Sequence, residues 1–328
     1  MLGSIEPPRP TAREVRAADP EELRRELADD LGVDRRRLFL THGATEGNAA
    51  VLQFIARRAA SGRVRGCRVA WPEYPDLADL AAWAGLPPTD RPFPAAVAVL
   101  TQPRNPEGDL WTRPRIAEWA EGARELLIDE TFREFAGVPS LAGFLPERLW
   151  LTGTFTKFYA GDDLRVGFVI APETAREAFA RYHSLALDRL PSYSVAGARA
   201  AFHDRPRLRR EVEGILTANR AAWHRAFPHA AVPRGPVAFD RSVVPDGTVV
   251  ADRCLRASVL VCPGPLFGDP RGVRIGLTRR SFPADLAAYL AAREPSRGIT
   301  PSRSSLRSRD RTARRRRAAI GRERAGRA

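Results

Sequence analysis

The sequence predicts an α/β protein with a mostly parallel sheet and a smaller α+β domain. Three observations support this prediction. A chain of 328 residues with 44% hydrophobic content can bury one large core and a second, smaller one. Short apolar runs alternate with stretches of helical spacing as far as residue 171, which is the pattern of a parallel sheet with connecting helices. A long helical stretch and a less regular region then follow, as in a small α+β unit.

The elements follow in a simple order. A first helix is predicted over 20–31, with Asp19 as its N-cap. Apolar runs predict strands over 36–43, 67–71, 95–100, 124–130, 148–154 and 166–171. Helical spacing predicts helices over 44–60, 76–85, 112–123 and 194–226. The small domain is predicted from apolar runs at 237–244, 257–264, 273–279 and 282–292. We therefore expect an N-terminal segment 1–34 that joins the small domain, a large domain 35–226, the small domain 227–292 and a tail 293–328.

The formal net charge of +14 is concentrated in the tail. Residues 293–328 contain thirteen arginines and three acidic residues, whereas the rest of the chain is nearly balanced. The tail has few large apolar residues and cannot bury enough surface to offset the entropy of ordering, so we expect it to be disordered. It could bind nucleic acid through the phosphates, or it could be a solvated extension without a partner.

Other features bear on the location of the protein. No apolar stretch is long enough for a transmembrane helix, and the first residues lack the apolar run of a signal peptide. Cys67, Cys254 and Cys262 lie far apart without a CxxC pair, and the histidines form no pattern with metal-ligand spacing. We therefore expect a cytoplasmic protein with free thiols and without a metal site.

Polar residues follow several predicted strands at the point where each strand ends. The carboxyl ends of parallel strands meet at one edge of a sheet, where ligands bind. Gly43, Ala44 and Thr45 open a helix whose N-terminus would suit a phosphate, although many such turns bind nothing. The other candidates are Tyr74, Asn105, Asp129, Thr154, Thr156, Lys157 and Arg165. Taken singly, each of them has an ordinary structural explanation, such as core packing or capping.

Together, these stretches form an ordered series of motifs. The motifs are GATEG (43–47), PEYP (72–75), QPRNPEG (102–108), LLIDETF (126–132), TFTKFYAGDDLRVGF (154–168) and PGPLFGDPRGVRIGL (263–277). Their order and spacing resemble those of the fold type I pyridoxal-phosphate enzymes, in particular the class I and II aminotransferases. The resemblance implies a three-layer fold, pyridoxal 5'-phosphate as the cofactor, and a homodimer. It also implies transfer of an amino group between an amino acid and a 2-oxo acid by a ping-pong mechanism.

The resemblance also explains why one lysine remains. Of the 53 lysine and arginine residues, only Lys157 is a lysine. The cofactor needs a primary amine to form a Schiff base, and arginine cannot supply one. The resemblance therefore implies that Lys157 binds the cofactor and then acts as the acid and base for the Cα proton of the substrate.

The resemblance implies roles for the other candidates as well. Asp129 would pair with the pyridinium nitrogen, Asn105 would bond the phenolic oxygen of the ring, and Tyr74 would stack on the ring. Arg274 would bind the α-carboxylate of the substrate, with Asn105 beside it. The residues expected to hold the phosphate are Ala44, Thr45, Thr154, Thr156 and Arg165.

The match has three departures. Phe132 stands where the family usually has a tyrosine that bonds the ring oxygen, and Ala17 stands where a tyrosine usually reaches the phosphate of the partner subunit. Residues 4–10 replace the usual Asn-Glu-Asn-Pro stretch. Two alternatives therefore stay open. One is a pyridoxal-phosphate decarboxylase or lyase, since DETFREF and TKFYAG are similar to segments of threonine-phosphate decarboxylase and histidinol-phosphate aminotransferase. The other is a cofactor-binding regulator, or a protein that binds nucleic acid through its tail.

Overall fold

A six-stranded sheet lies at the centre of the described part of the chain. The computed structural model describes residues 19–60, 64–89, 94–242 and 246–294. The strands of this sheet are β1 (Leu38–Thr41), β2 (Cys67–Val69), β3 (Ala95–Thr101), β4 (Ala123–Asp129), β5 (Leu149–Thr154) and β6 (Gly167–Ile170). They lie in the order β1-β6-β5-β4-β3-β2.

The strand directions bring several polar residues to one edge of the sheet. Strand β6 is antiparallel to β1 and β5, and the other neighbouring strands pair in parallel. The carboxyl ends of β1 to β5 therefore lie at the same edge. In the register of the sheet, Asp129 lies between Thr101 on β3 and Thr152 on β5. This edge is where the sequence places its candidate residues.

Helices cover both faces of the sheet. They are α1 (Pro20–Leu31), α2 (Gly43–Ala59), α3 (Pro75–Trp83), α4 (Arg113–Trp119), α5 (Arg133–Ala136), α6 (Arg176–Ala186), α7 (Ser192–His203) and α8 (Arg205–Ala226). Side chains alternate along β4, so that Leu126 and Ile128 belong to an apolar cluster with residues of α1, α4, α7 and α8. Leu127 belongs to a second cluster with residues of α2, α3 and α6. The predicted three-layer α/β fold with a mostly parallel sheet is confirmed.

A second sheet follows in the region where the small α+β unit was predicted. Its strands β7 (Val237–Asp240), β8 (Cys262–Pro263) and β9 (Val273–Gly276) lie in the antiparallel order β7-β9-β8. Helices α9 (Gly247–Arg256) and α10 (Phe282–Arg293) pack against one another. The described residues up to Arg293 belong to one compact unit. The boundary between residues 226 and 227 therefore stays a prediction.

Some predicted elements were wrong. The single helix predicted over 194–226 is two helices, because Pro206 in the first turn of α8 lacks the N–H that a continuous helix would need. Within the apolar run 257–264 only Cys262–Pro263 form a strand, and α5, α6 and α9 were not predicted. Ala17, residues 4–10, nearly all of the tail and the first part of segment 1–34 lie outside the described residues. None of the described helices is long and apolar enough to cross a membrane.

Candidate active site

A cavity of about 400 Å³ lies at the carboxyl edge of the central sheet. One wall comes from the loops after β1 to β5, and the other comes from the second sheet and the segment before β8. All ten residues predicted from the sequence line this cavity. They are Ala44, Thr45, Tyr74, Asn105, Asp129, Thr154, Thr156, Lys157, Arg165 and Arg274. The fold therefore gathers residues that are up to 230 positions apart in the sequence.

Lys157 lies in the turn that follows β5. Its side chain is 51% exposed, and its Nζ atom is 3.7 Å from Oδ1 of Asp162. This distance is longer than a hydrogen bond, so the pairing is loose. The amine is therefore accessible from the cavity, as a nucleophile must be.

Asp129 is the last residue of β4 and is buried. Its Oδ2 accepts a hydrogen bond of 2.8 Å from Nδ2 of Asn48, and its Oδ1 accepts one of 2.8 Å from the backbone N–H of Thr131. Burial raises the pKa of Asp129, and these donors only partly oppose that effect. Within the described residues no cation pairs with it, so the site would favour a ligand with a protonated nitrogen.

The start of α2 forms a cradle for an anion. Gly43 has φ +83°, and a Cβ atom there would lie 2.9 Å from Nη2 of Arg165. The hydroxyls of Thr154 and Thr156 lie 3.2 Å apart beside this turn. In the part of the chain that the structure describes, no acidic side chain pairs with Arg165. This turn therefore suits a phosphate, because it offers free N–H groups, two hydroxyls and an unpaired guanidinium.

Tyr74 precedes α3 and is tied to a residue that the sequence analysis did not identify. Its Oη atom donates a hydrogen bond of 2.6 Å to Oδ2 of Asp76. Burial, together with the nearby carboxylate of Asp76, raises the pKa of Tyr74. The phenol is therefore neutral, and its ring is fixed at the wall of the cavity.

Arg274 lies on β9, on the opposite wall. Its Nη1 donates to Oδ1 of Asn105 at 3.2 Å, and its Nη2 donates to Sγ of Cys262 at 3.1 Å. Its guanidinium lies 5.0 Å from the centre of the Phe267 ring. Among the described residues, none of these three partners is an acidic side chain. The positive charge of Arg274 is thus held in place without being compensated, which suits a carboxylate ligand.

Comparison with known proteins identifies the family. Residues 15–227 match the family model described as aminotransferase class I and II. The chain belongs to the class I and II aminotransferase family. Its curated relatives include the histidinol-phosphate aminotransferase of Haloferax volcanii, which is 31% identical over 185 residues, or 54% of this chain and 49% of that protein. The chain thus spans about half the length of the curated relatives that it matches.

Solved structures of aminotransferases share the fold. An aminotransferase from Staphylococcus aureus has a TM-score of 0.73 and 17% identity, over 89% of this chain and 93% of that one. The aromatic aminotransferase of Pyrococcus horikoshii has a TM-score of 0.72 and 20% identity, over 89% and 93%. These similarities agree with the fold class predicted from the sequence.

In this family member, an internal ion pair supports two of the loops at the site. Glu73 and Arg104 are fully buried and form a salt bridge with one another. Glu73 also accepts hydrogen bonds from the hydroxyl of Thr101 at 2.6 Å and from the backbone N–H of Tyr74 at 2.7 Å. The pair therefore fixes the loops that carry Tyr74 and Asn105. This pair could not be predicted from the sequence, because PEYP and QPRNPEG indicate only turns and candidate ligand contacts.

Proposed function

We propose that this family member is a pyridoxal 5'-phosphate-dependent aminotransferase that moves an amino group between an amino acid and a 2-oxo acid. This proposal rests on the residues that surround Lys157. The only lysine of the chain lies in a cavity that also offers an anion cradle and the buried carboxylate of Asp129. An amine, a cradle and a carboxylate are what a phosphorylated pyridine aldehyde requires of a protein.

The residues present fit this cofactor. When bound, pyridoxal phosphate supplies an aldehyde that condenses with a primary amine and a ring that withdraws electrons from the substrate. Lys157 would supply the amine, and Asp129 would keep a proton on the pyridine nitrogen. Tyr74 would lie against the face of the ring. The phosphate would be held by Arg165, Thr154, Thr156 and the backbone N–H groups of Ala44 and Thr45.

The opposite wall would hold the substrate. Arg274 would bind the α-carboxylate through two parallel N–H groups. Asn105 already accepts a hydrogen bond from Arg274, so its amide N–H groups are free to turn toward the phenolic oxygen of the ring. With the carboxylate fixed, Nζ of Lys157 would take up the Cα proton as a base and then release it, as an acid, on the cofactor side.

Two further proposals concern assembly and location. We infer a homodimer, supported by the family and by exposed apolar side chains such as Leu185 and Tyr193 on α6 and α7. Light scattering of the purified protein tests the homodimer, and a monomer at micromolar concentration would contradict it.

The free thiols support a cytoplasmic protein. A nucleic-acid role of the tail stays a prediction about residues outside those described.

The function is tested by following the products. The protein loaded with pyridoxal phosphate is incubated with one amino acid at a time, first without and then with a 2-oxo acid. The proposal predicts a 2-oxo acid product in the first step and a new amino acid in the second, without release of CO₂. Lys157→Arg should abolish both steps while the protein stays folded. Release of CO₂ without a 2-oxo acid would instead establish a decarboxylase.

A further inference from the structure

We propose that Asp76 is a positioning residue for the cofactor. Its carboxylate holds the ring of Tyr74 in the orientation that contacts the cofactor ring, and it acts through the Tyr74 hydroxyl. This inference rests on the proposed function and adds to the site a residue that the sequence analysis did not identify. The contact that carries it joins two residues of a single chain, so it does not depend on the partner subunit.

The backbone of Tyr74 is anchored from inside the protein. Its N–H donates a hydrogen bond of 2.7 Å to Oε1 of Glu73. Glu73 is fully buried and is itself held by the ion pair with Arg104 and by the hydroxyl of Thr101. The backbone of Tyr74 therefore has a fixed position, and the two torsions of its side chain remain to be set.

The far end of the Tyr74 side chain is held by Asp76. Oη of Tyr74 donates a hydrogen bond of 2.6 Å to Oδ2 of Asp76. This bond fixes the torsion about Cα–Cβ, because rotation there would carry the oxygen away from its acceptor. A phenolic O–H lies in the plane of its ring and hydrogen bonds are directional, so the bond also limits rotation of the ring about its long axis. The ring is therefore fixed in orientation as well as in place.

Helix α3 places Asp76 beside the Tyr74 hydroxyl. Tyr74 is the N-cap residue of this helix, and its side chain makes no capping hydrogen bond. Asp76 lies in the first turn, where the helix dipole favours a negative charge. The start of α3 thus supplies both the aromatic ring and the carboxylate that orients it.

The oriented ring lies at the wall of the cavity. Tyr74 packs against the apolar cluster of α2, α3 and α6, and it lines the cavity together with Asp76 and Asp129. Asp129 favours a ligand with a protonated nitrogen. A phenol that donates a strong hydrogen bond to a carboxylate has a more electron-rich ring, and such a ring attracts a cation more strongly. Asp76 would therefore strengthen cofactor binding both by fixing the Tyr74 ring and by making it electron-rich, and both effects pass through Oη of Tyr74.

A purely structural role of Asp76 leads to a different expectation. A carboxylate in the first turn stabilises α3 whether or not residue 74 has a hydroxyl. The effect of removing Asp76 would then be the same in the presence and in the absence of that hydroxyl. A double-mutant cycle between Asp76 and Tyr74 separates the two roles, because it measures whether the two side chains act through one another.

The cycle is measured on the full-length protein with pyridoxamine 5'-phosphate, which has the ring and the phosphate of the cofactor but no aldehyde to react with Lys157. Asp76→Ala and Tyr74→Phe should each raise the Kd by roughly tenfold, the effect of losing one hydrogen bond to a charged group. The double variant should raise the Kd no further. Asp76→Asn should recover most of the affinity, because its amide oxygen can still accept the hydrogen bond.

A control and a spectroscopic measurement accompany these affinities. Asp79→Asn removes an exposed carboxylate one turn further along α3 and should leave the Kd unchanged. The circular dichroism of bound pyridoxamine 5'-phosphate, in its own absorption band, reports on the orientation of the neighbouring aromatic ring. It should weaken to a similar extent in Asp76→Ala and Tyr74→Phe and keep its wild-type strength in Asp79→Asn.

The outcomes distinguish this inference from the proposed function. Losses of affinity that multiply in the double variant, or an unchanged Kd in Asp76→Ala, would overturn the role of Asp76. If the wild-type protein binds pyridoxamine 5'-phosphate and forms an adduct with pyridoxal phosphate on Lys157, such a result leaves the proposed function intact. If the wild-type protein neither binds the one nor forms the adduct with the other, the proposed function fails and the inference fails with it.

Discussion

The side-chain amide of Asn48 donates a hydrogen bond of 2.8 Å to Oδ2 of Asp129. Asn48 lies on α2 and Asp129 ends β4, so this bond joins the helix that opens the anion cradle to the carboxylate expected to face the cofactor ring. Oδ1 of Asn48 also accepts a hydrogen bond of 2.7 Å from Thr152. The amide is therefore fixed from both sides, and it orients the carboxylate.

Removal of this amide should weaken cofactor binding. In Asn48→Ala, Asp129 loses a donor, and its carboxylate is no longer held toward the cavity. Hydrogen bonds to charged groups contribute about 1.5–3 kcal/mol, so we expect the Kd for pyridoxal phosphate to rise by roughly tenfold or more. Fluorescence titration with pyridoxal phosphate measures the Kd. Gln53→Ala, an exposed position one turn further along α2, is the control and should leave the Kd unchanged. Equal Kd values for Asn48→Ala and wild type would contradict the role of Asn48.

The anion cradle should recognise the phosphate and not the ring. Arg165→Ala removes the unpaired guanidinium beside Gly43. We expect the affinity for pyridoxal phosphate to fall by about 10–100-fold, while the affinity for pyridoxal, which lacks the phosphate, changes little. Both are measured by the same titration. An equal loss of affinity for both ligands would show that Arg165 does not contact the phosphate.

The thiol of Cys262 should report on substrate binding. Cys67 and Cys254 are buried, whereas Cys262 is partly exposed, lines the cavity and accepts a hydrogen bond from Arg274. Burial also raises the pKa of Cys67 to about 12. We expect iodoacetamide to modify Cys262 first among these three thiols, and a carboxylate bound by Arg274 to slow this reaction severalfold. Peptide mapping follows the modification, with Cys262→Ser as the control. Unchanged labelling at a saturating carboxylate concentration would mean that the acid binds away from Arg274.

Glu130 should make stability depend on pH. Burial raises its pKa from 4.5 to about 7, and its carboxyl accepts hydrogen bonds of 2.7 Å from Ser140 and the backbone of Leu141. Between these two pKa values the folded protein binds more protons than the unfolded chain, so this group lowers stability as the pH rises from about 4.5 to about 7. Glu130→Gln should therefore be more stable relative to wild type at pH 8 than at pH 5, by about 1–3 kcal/mol.

Urea unfolding at both pH values tests this, with the exposed Glu213→Gln on α8 as the control. The control should shift by the same amount at pH 5 and pH 8. A pH-independent effect of Glu130→Gln would show that the carboxyl is not held protonated in the folded protein.

The layers of the fold could be predicted from the sequence because they depend on local patterns of apolar and polar residues. The apolar run 95–100 and the apolar core 126–128 of the next strand are buried on both faces of a parallel sheet, and each appears as a continuous hydrophobic stretch. The break at Asp204 between α7 and α8 was missed because helical spacing continues across it, although Pro206 was a local signal. Helix α9 was missed because it contains Val249 and Val250, whose β-branched side chains favour strands.

The site was predictable to the extent that its residues stand at strand ends. Lys157 and Asn105 follow strands of the parallel sheet and Asp129 ends one, and the topology brings such residues together. Asn48 and Asp76 were not predicted, because they lie on helices and approach the cavity only through tertiary packing. The burial of Glu73 against Arg104 was likewise invisible, since nothing in a turn sequence indicates that its charges are paired inside the protein.

The central claim is that the only lysine of the chain binds pyridoxal phosphate. The protein is incubated with the cofactor, reduced with borohydride and digested, and the adduct is located by mass spectrometry. We predict one modified lysine, Lys157, and no lysine adduct in Lys157→Arg, so that the N-terminal amine alone can account for any background. A folded wild-type protein that carries no adduct on Lys157 would contradict the account.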